Sequence, residues 1–301
     1  MSAADVERAR RAYAEKIRGL VGLRSEALFR SLARVPREAF LGPGPWKLMW
    51  LTRVGLGYQE TPDANPCRLY DNVLVAIDAD RHLNNGEPAA LMRWLDSLEL
   101  RAGERLLHVG CGVGYYTAVA AEALRPGGHA TGVEIDPVLA ERALRNTAPY
   151  GDIEIHAGDG SKLVDRGFDA IYVNAGATEI PPAWLDSLAP GGRLLLPLTV
   201  SIPGVNAGAG WMLLVRRDAQ GYTAEFRGPV GIFHCAGARS ERGRGAPARP
   251  LRNGLSAGNP APAPRPTSGK RGLRSARRRI LLVAALKSAS ADAVTAPCAD
   301  G

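Results

Sequence analysis

Three glycines at alternate positions stand between a strand-like run and a helix-like run near the middle of the chain. The apolar residues 106–109 come first, and a small-residue run typical of a helix follows the glycines. A strand, a turn and a helix in this order direct backbone N–H groups and the positive end of a helix dipole at a bound ligand. Glycine is needed because the turn is expected to visit positive φ and because a Cβ would block close approach of the ligand. The pattern therefore predicts a ligand site at Gly110, Cys111, Gly112 and Gly114.

A carboxylate follows at the spacing expected for a ribose contact. Residues 130–134 form a second strand-like run that ends in Glu134, about 20 residues after the turn. Dinucleotides and S-adenosylmethionine are the two ligand classes that use such a site. The dinucleotide fingerprint is G-x-G-x-x-G, whereas here the third glycine comes one residue earlier, and Tyr115 and Tyr116 would crowd a pyrophosphate. The motif instead resembles the first motif of class I S-adenosylmethionine-dependent methyltransferases. The alternatives are a nicotinamide enzyme and a glycine turn without a ligand.

The order of apolar runs predicts an α/β fold with a mostly parallel, seven-stranded sheet of the Rossmann-like class I methyltransferase type. Five strands alternate with helices, and a hairpin around Asp218–Gly221 adds two antiparallel strands. The predicted strands are residues 105–109, 130–134, 153–156, 168–173, 192–198, 211–216 and 222–226. The predicted helices are residues 4–21, 25–33, 88–98, 116–124, 137–146 and 182–188.

The chain divides into three parts by composition. Residues 1–69 are predicted to form a helical extension followed by an ordered loop, at 42–68, that wraps the domain. Residues 70–235 form the predicted methyltransferase domain. Residues 236–301 are rich in Pro, Gly and Arg, lack apolar periodicity and are expected to be disordered. This last part carries the basic excess behind the net charge of +8, and the rest of the chain is close to neutral.

The composition also allows predictions of the protein's cellular location and partners. The first residues are charged and no apolar run is long enough to span a bilayer, so we expect a cytoplasmic protein without a membrane partner. We expect a monomer. Nucleic acid is not expected as a partner, because no aromatic residues interleave the arginines of residues 236–301. The cysteines lack metal-ligand spacing, so we expect reduced thiols and no metal site; they are Cys67, Cys111, Cys235 and Cys298.

Several segments resemble one family within this class, the protein-L-isoaspartate O-methyltransferases. The resemblance extends from about Val35 to Leu198, in the order of the family. The segments that carry it are Val-Pro-Arg-Glu-Ala-Phe at 35–40, Tyr-Asp-Asn at 70–72, Gly-Asp-Gly at 158–160, Phe-Asp-Ala-Ile at 168–171, Glu-Ile-Pro at 179–181 and Leu-Ala-Pro-Gly-Gly-Arg-Leu at 188–194. His108 departs from the family, which usually has Glu or Asp there.

The resemblance implies S-adenosylmethionine as the cofactor and assigns roles around it. The three glycines would line its methionine and ribose side, and Glu134 would accept hydrogen bonds from the ribose hydroxyls. Asp159 would meet the adenine amino group, with Gly160 letting the loop lie flat on the ring. Structural alternatives remain open. Asp159 and Gly160 can simply form a turn, and Glu134 can stabilise the start of the next helix.

The acceptor side departs from the family pattern. Alignment on Pro88 puts Gly86 where the family has a Ser or Thr hydroxyl that helps to hold the isoaspartyl carboxylate. Asn85 could donate a hydrogen bond in its place and is the candidate catalytic residue. Glu87 stands where the family often has Gln, and it would repel a carboxylate if it pointed inward. The alternative is that residues 84–86 only form a turn into the helix.

The resemblance thus implies methyl transfer from S-adenosylmethionine to the carboxylate of L-isoaspartyl (or D-aspartyl) residues in damaged proteins, a repair reaction. Its partners would be proteins or peptides that bear such residues. One alternative is a divergent methyltransferase acting on another carboxylate or on a small molecule. The other is a non-catalytic module with the cofactor fold, whose basic tail binds nucleic acid.

Overall fold

The computed structural model describes residues 2–239, except residues 53–56, 164 and 205. A seven-stranded sheet forms the centre of this part of the chain, with the strand order β11-β10-β9-β8-β5-β6-β7. Its strands are β5 (Arg105–Val109), β6 (His129–Glu134), β7 (Ile153–Ala157), β8 (Phe168–Val173), β9 (Leu188–Ser201), β10 (Ala207–Asp218) and β11 (Gly221–Phe233).

The first five of these strands run parallel, and β5 lies in the middle of them. Leu107 of β5 is opposite Thr131 of β6 on one side and Ile171 of β8 on the other. Side chains on both faces of β5 and β8 are buried, which is why these segments are apolar almost throughout. The carboxyl ends of β5, β6 and β8 therefore meet at one edge of the sheet.

Two long antiparallel strands complete the sheet beyond β9. β10 pairs with β9 and β11, and the turn between β10 and β11 contains Gly221 at φ 129°. The predicted hairpin is confirmed at this position, but both strands are longer than predicted. Their extra residues are mostly exposed or glycine, so no apolar alternation marks them in the sequence.

Helices cover both faces of the sheet, and the first three of them form an N-terminal extension of the domain. They are α1 (Ala3–Val21), α2 (Glu26–Arg34), α3 (Glu38–Leu41), α4 (Pro88–Ser97), α5 (Tyr115–Ala123), α6 (Pro137–Thr147) and α7 (Pro182–Ser187). A capping box at Ser2 and Asp5 begins α1, and the left-handed Gly22 ends it. Ile17, Leu28 and Leu32 are fully buried in the core that α1 and α2 share with α4 and α5.

A second, small sheet includes two strands within the segment that the sequence predicts as a loop. Its order is β2-β1-β3-β4, with β1 (Lys47–Met49), β2 (Gln59–Glu60), β3 (Leu74–Asp78) and β4 (Leu83–Asn84). The prediction of a loop over residues 42–68 is wrong at β1 and β2. Strands of two or three residues are too short to show a period of two in the sequence. Because β1 pairs with β3, this sheet joins residues from both sides of the predicted boundary at 69/70.

The α/β fold with a mostly parallel seven-stranded sheet is confirmed. None of the described helices is long and apolar enough to cross a membrane. The predicted disorder of residues 240–301 lies outside the described residues. Residues 236–239, which the prediction places in the tail, pack against the domain: Ala238 is buried and its carbonyl accepts a hydrogen bond from the Thr178 amide.

Candidate active site

The glycine turn has the backbone conformation that its sequence predicts. Gly110, Gly112 and Gly114 have φ values of 75°, 58° and 89°. A Cβ on Gly110 would lie 3.3 Å from the Asn174 carbonyl oxygen, whereas a Cβ on Gly112 would meet no atom within 4 Å. Gly112 therefore faces open space.

Gly114 has a different role from the other two glycines. It precedes α5, and a Cβ there would lie 2.9 Å from Thr147 Cγ2 and 3.4 Å from Ala143 Cβ, both on α6. It is absent from the wall of the cavity described below. The third glycine of the motif thus allows α5 and α6 to pack closely, and it does not line the space predicted for the ligand.

Glu134 ends β6 and fixes the glycine turn. The residue is 7% exposed. One oxygen accepts a hydrogen bond from the Gly112 amide at 2.8 Å, and the other accepts one from the Asp136 amide at 3.0 Å. Each carboxylate oxygen can accept a further hydrogen bond. Glu134 therefore supports both the turn and the start of α6, as the structural alternative requires, and it retains capacity toward a ligand.

Asp159 and Gly160 follow β7 at the same edge of the sheet. Asp159 Oδ1 accepts hydrogen bonds from the Ser161 amide at 3.0 Å and hydroxyl at 2.7 Å. Burial alone would raise the pKa of Asp159, but the hydrogen bonds from Ser161 and Lys162 outweigh it and hold that pKa below its ordinary value. A Cβ on Gly160 would lie 2.7 Å from Val109 Cγ1. The predicted turn is present, and both residues also face the cavity.

One cavity of about 420 Å³ joins these residues at the carboxyl ends of the parallel strands. This is the position at which open α/β sheets bind their ligands. Apart from Gly114, every residue that the sequence predicts for the site lines this cavity; these are Asn85, Gly110, Cys111, Gly112, Glu134, Asp159 and Gly160.

Asn85 lines the cavity and lies in the segment between β4 and α4. The residue is 7% exposed, and its backbone N–H donates a hydrogen bond to the Val75 carbonyl oxygen at 2.9 Å. Its side-chain Nδ2 is buried and has no hydrogen-bond partner among the described residues. Since an unpaired buried donor costs free energy, this group suits a ligand that brings an acceptor oxygen.

A side chain on Gly86 would be strained in this conformation and would require Leu91 to shift. Its φ is 75°, and a Cβ would lie 2.8 Å from Leu91 Cδ2. Its amide donates to Asn84 Oδ1 at 2.9 Å, which closes a turn before α4. The Leu91 side chain thus fills the space that a Ser or Thr side chain at residue 86 would need. The contact with Leu91 and the positive φ both favour glycine at this position.

Glu87 also lines the cavity, and its carboxylate is held in place. Its Oε1 accepts a hydrogen bond from Asn72 Nδ2 at 2.9 Å. Asn72 Oδ1 in turn accepts from the Ala89 amide, in the first turn of α4, at 2.8 Å. Asn72 therefore links the carboxylate to the helix start, where a negative charge is favourable.

The charged residues of the described cavity wall are mostly acidic. Arg81 is the cation among them, and its guanidinium is 2.6 Å from an Asp136 carboxylate oxygen. The carboxylates of the wall are Glu87, Glu134, Asp136 and Asp159. Because Arg81 is paired with Asp136, the wall favours ligands that carry positive charge.

His108 and Cys111 are buried beside the turn without forming a reactive pair. His108 Nδ1 lies 2.8 Å from Thr117 Oγ1, its ring stacks on Tyr172, and burial lowers its pKa to about 3. Burial, with the charge of Glu134, raises the pKa of the Cys111 thiol. His108 does not line the cavity, whereas Cys111 does. Among the described residues, no group of three or more His, Cys, Asp and Glu side chains could hold a metal ion.

The sequence reasoning missed three parts of the wall. Asn174 follows β8 and lines the cavity, and its place after a buried strand was a usable signal. Ile135, 51% exposed, lies directly after Glu134 at the cavity. Residues 230–237 close another side, although nothing in their sequence marks them as part of a site.

Comparison with known proteins agrees with this geometry. The sequence model of the protein-L-isoaspartate (D-aspartate) O-methyltransferase family matches residues 15–205. A protein-L-isoaspartate O-methyltransferase 2 of Archaeoglobus fulgidus is 30% identical over 221 residues, which cover 72% of this chain and 87% of that protein. A protein-L-isoaspartate O-methyltransferase of Pyrobaculum neutrophilum is 33% identical over 181 residues, covering 58% of this chain and 77% of that protein.

Two solved structures share the fold at 19% sequence identity. A protein-L-isoaspartate O-methyltransferase matches with a TM-score of 0.61 and covers 76% of this chain and 67% of its own. A Plasmodium falciparum protein described as a putative protein-L-isoaspartate O-methyltransferase, in complex with S-adenosyl-L-homocysteine, matches with a TM-score of 0.55 over 76% of this chain and 98% of its own. At this identity the two structures support the fold alone. Because the family's sequence model matches residues 15–205, more than half of the chain, the chain belongs to the protein-L-isoaspartate (D-aspartate) O-methyltransferase family.

Proposed function

We propose that the protein transfers a methyl group from S-adenosylmethionine to the free carboxylate of L-isoaspartyl (or D-aspartyl) residues in proteins and peptides. One observation carries the proposal: a single cavity is lined by the glycine turn, by Glu134 and by Asn85, whose buried side-chain Nδ2 has no hydrogen-bond partner among the described residues. Family membership and the names of the relatives support the substrate class.

The cofactor side of the cavity suits S-adenosylmethionine. Gly110, Cys111 and Gly112 would line its amino-acid and ribose portion. The space beside Gly112 is open, since a Cβ there would meet no atom within 4 Å. Glu134 has remaining acceptor capacity for ribose hydroxyls, and the acidic wall suits a cation. When bound, S-adenosylmethionine supplies an electrophilic methyl group on a positively charged sulfur.

The adenine ring of the cofactor has candidate contacts at the end of the cavity that Asp159 and Gly160 line. Asp159 would accept from the adenine amino group through the oxygen that Ser161 does not occupy, and Gly160 would let the loop approach the ring. The half-exposed Ile135 offers an apolar surface for a planar ring. Gly114 acts through packing of α5 on α6.

On the acceptor side, Asn85 would donate a hydrogen bond that orients the carboxylate of the acceptor. That carboxylate is already ionised near neutral pH, so the chain does not need to supply a general base. Orientation of the reacting atoms and exclusion of water would supply most of the acceleration. The product is a methyl ester, which can cyclise toward repair of the residue.

A second candidate function rests on Gly86. Because Leu91 excludes a side chain at residue 86, the acceptor site lacks the hydroxyl that the family pattern puts there. A divergent methyltransferase that acts on another carboxylate or on a small molecule would fit this change. The same cofactor side would serve either acceptor.

The setting of the reaction belongs to the proposal as well. We propose a cytoplasmic monomer whose methyltransferase domain spans residues 70–235, and we propose that residues 240–301 are not required for methyl transfer. Light scattering after size-exclusion chromatography measures the oligomeric state. Comparing the full chain with a chain that ends at residue 239 tests the role of the remaining residues.

The decisive experiment uses radiolabelled S-adenosylmethionine and two peptides that differ only in an L-isoaspartyl or an L-aspartyl residue. Base-labile label on the isoaspartyl peptide alone is the expected result. Calorimetry of cofactor binding accompanies the assay. If the cofactor binds and neither peptide is labelled, the second candidate function is favoured. If the cofactor does not bind either, the proposed function fails.

A further inference from the structure

We infer that Glu87 makes acceptor choice depend on charge, so that a positive group beside the methylated carboxylate is favoured and a second carboxylate is disfavoured. This inference rests on the proposed function and names the substrate class of the same site more closely.

Glu87 and Asn85 line the same cavity and are separated only by Gly86. The Asn72 side chain anchors the Glu87 carboxylate at 2.9 Å and is itself anchored on the Ala89 amide. The carboxylate is therefore fixed and cannot swing freely into solvent. The wall thus carries a negative charge two residues from Asn85, which is proposed to hold the negatively charged acceptor.

The surroundings make this charge effective. Leu91 and Trp94 are apolar neighbours in the same part of the wall, so solvent screens the charge less than on an open surface. Burial raises the pKa of Tyr116 well above its ordinary value, and the charge of Glu87 adds to this effect at the cavity wall. Arg81, the cation of the described wall, is paired with Asp136 and does not neutralise Glu87.

The other carboxylates of the wall lie on the cofactor side. Glu134 accepts from backbone amides and Asp159 from Ser161, while Asp136 caps α6 and pairs with Arg81. Among the described cavity residues, Glu87 is the carboxylate on the acceptor side. An acceptor with an ammonium group close to its carboxylate gains from Glu87, whereas an acceptor with a second carboxylate is repelled.

The test compares three isoaspartyl peptides that have Lys, Ala or Glu directly after the isoaspartyl residue. Wild type, Glu87→Gln and Glu141→Gln are assayed at low ionic strength. Glu141 lies on α6, outside the cavity wall, so its variant controls for loss of one carboxylate. For wild type, kcat/KM should fall in the order Lys, Ala, Glu, with about tenfold between the extremes. Glu87→Gln should remove the order, and Glu141→Gln should keep it.

Equilibrium binding provides a second readout that does not depend on methyl transfer. Fluorescence anisotropy of the labelled peptides should follow the same order for wild type and show no order for Glu87→Gln. The inference is overturned if Glu87→Gln keeps the order. It is also overturned if this variant weakens calorimetric binding of S-adenosylmethionine while the peptide order persists, because Glu87 would then face the cofactor. If wild type methylates none of the peptides, the proposed function itself fails.

Discussion

Replacement of Gly86 by Ser would test how firmly the structure excludes a side chain beside Asn85. Two costs are expected. A non-glycine residue at φ 75° costs about 1–2 kcal/mol in backbone strain. A Cβ 2.8 Å from Leu91 Cδ2 overpacks a buried region, which typically costs about 1–3 kcal/mol. Gly86→Ser should therefore lower the free energy of unfolding by about 2–5 kcal/mol.

The two costs can be separated with matched variants. Gly191 has φ 79° and a Cβ there would meet no atom within 4 Å, so Gly191→Ser should show the backbone cost alone. Leu91→Ala removes the contacting side chain and is itself destabilising, by about 2–5 kcal/mol. In the Leu91→Ala background, Gly86→Ser should cost only the backbone strain of about 1–2 kcal/mol.

Urea unfolding followed by tryptophan fluorescence measures the free energy of unfolding of wild type and of the four variants. The double-mutant cycle then gives the coupling between residues 86 and 91. A favourable coupling of about 1–3 kcal/mol is expected. Equal costs for Gly86→Ser and Gly191→Ser, together with additive costs for Gly86→Ser and Leu91→Ala, would refute the reasoning. Leu91 would then not be the reason for the missing hydroxyl.

Three further predictions concern the cavity and its support. Asn85→Ala should lower kcat/KM for an isoaspartyl peptide by roughly 10- to 150-fold, the effect of a lost hydrogen bond to a charged group, while calorimetric affinity for S-adenosylmethionine stays unchanged. Glu134→Gln should weaken that affinity by about tenfold or more, because an amide cannot accept at both of its terminal atoms; unchanged affinity would contradict the role given to Glu134. His108 stays neutral when folded, with a pKa of about 3, so the unfolded chain binds one more proton below about pH 6.5. Between about pH 6.5 and pH 3, the free energy of unfolding should therefore decrease as the pH is lowered, by up to about 1.4 kcal/mol per pH unit. Urea titrations at several pH values should show a smaller decrease for His108→Gln.

The central sheet could be predicted because its signals are local. β5 and β8 begin and end where their apolar runs do, since both faces of a central parallel strand are buried. The glycine turn and Glu134 were also predictable, because their chemistry depends on residues close together in the chain. Their placement in one cavity agrees with that prediction, and their roles toward the cofactor stay predictions.

Other parts depend on contacts between distant segments. The strands β1 and β2 exist through pairing with β3 and each other, and no run of two or three residues indicates such pairing. The packing role of Gly114 depends on Thr147, far along the chain. The exclusion of a side chain at Gly86 depends on the rotamer of Leu91. These features follow from packing, which the order of residue types alone does not determine.

The cavity is assembled from both halves of the described chain, and this has a consequence for how the protein acquires its site. Residues 84–87 supply one wall and residues 230–237 supply another, beyond the residues that match the family's sequence model. During synthesis the glycine turn can form well before its last wall has left the ribosome. Affinity for the cofactor should therefore appear late, only after β11 has joined the sheet. Because a ligand that binds only the complete fold stabilises it by mass action, the cofactor would act as a selective ligand for fully folded chains.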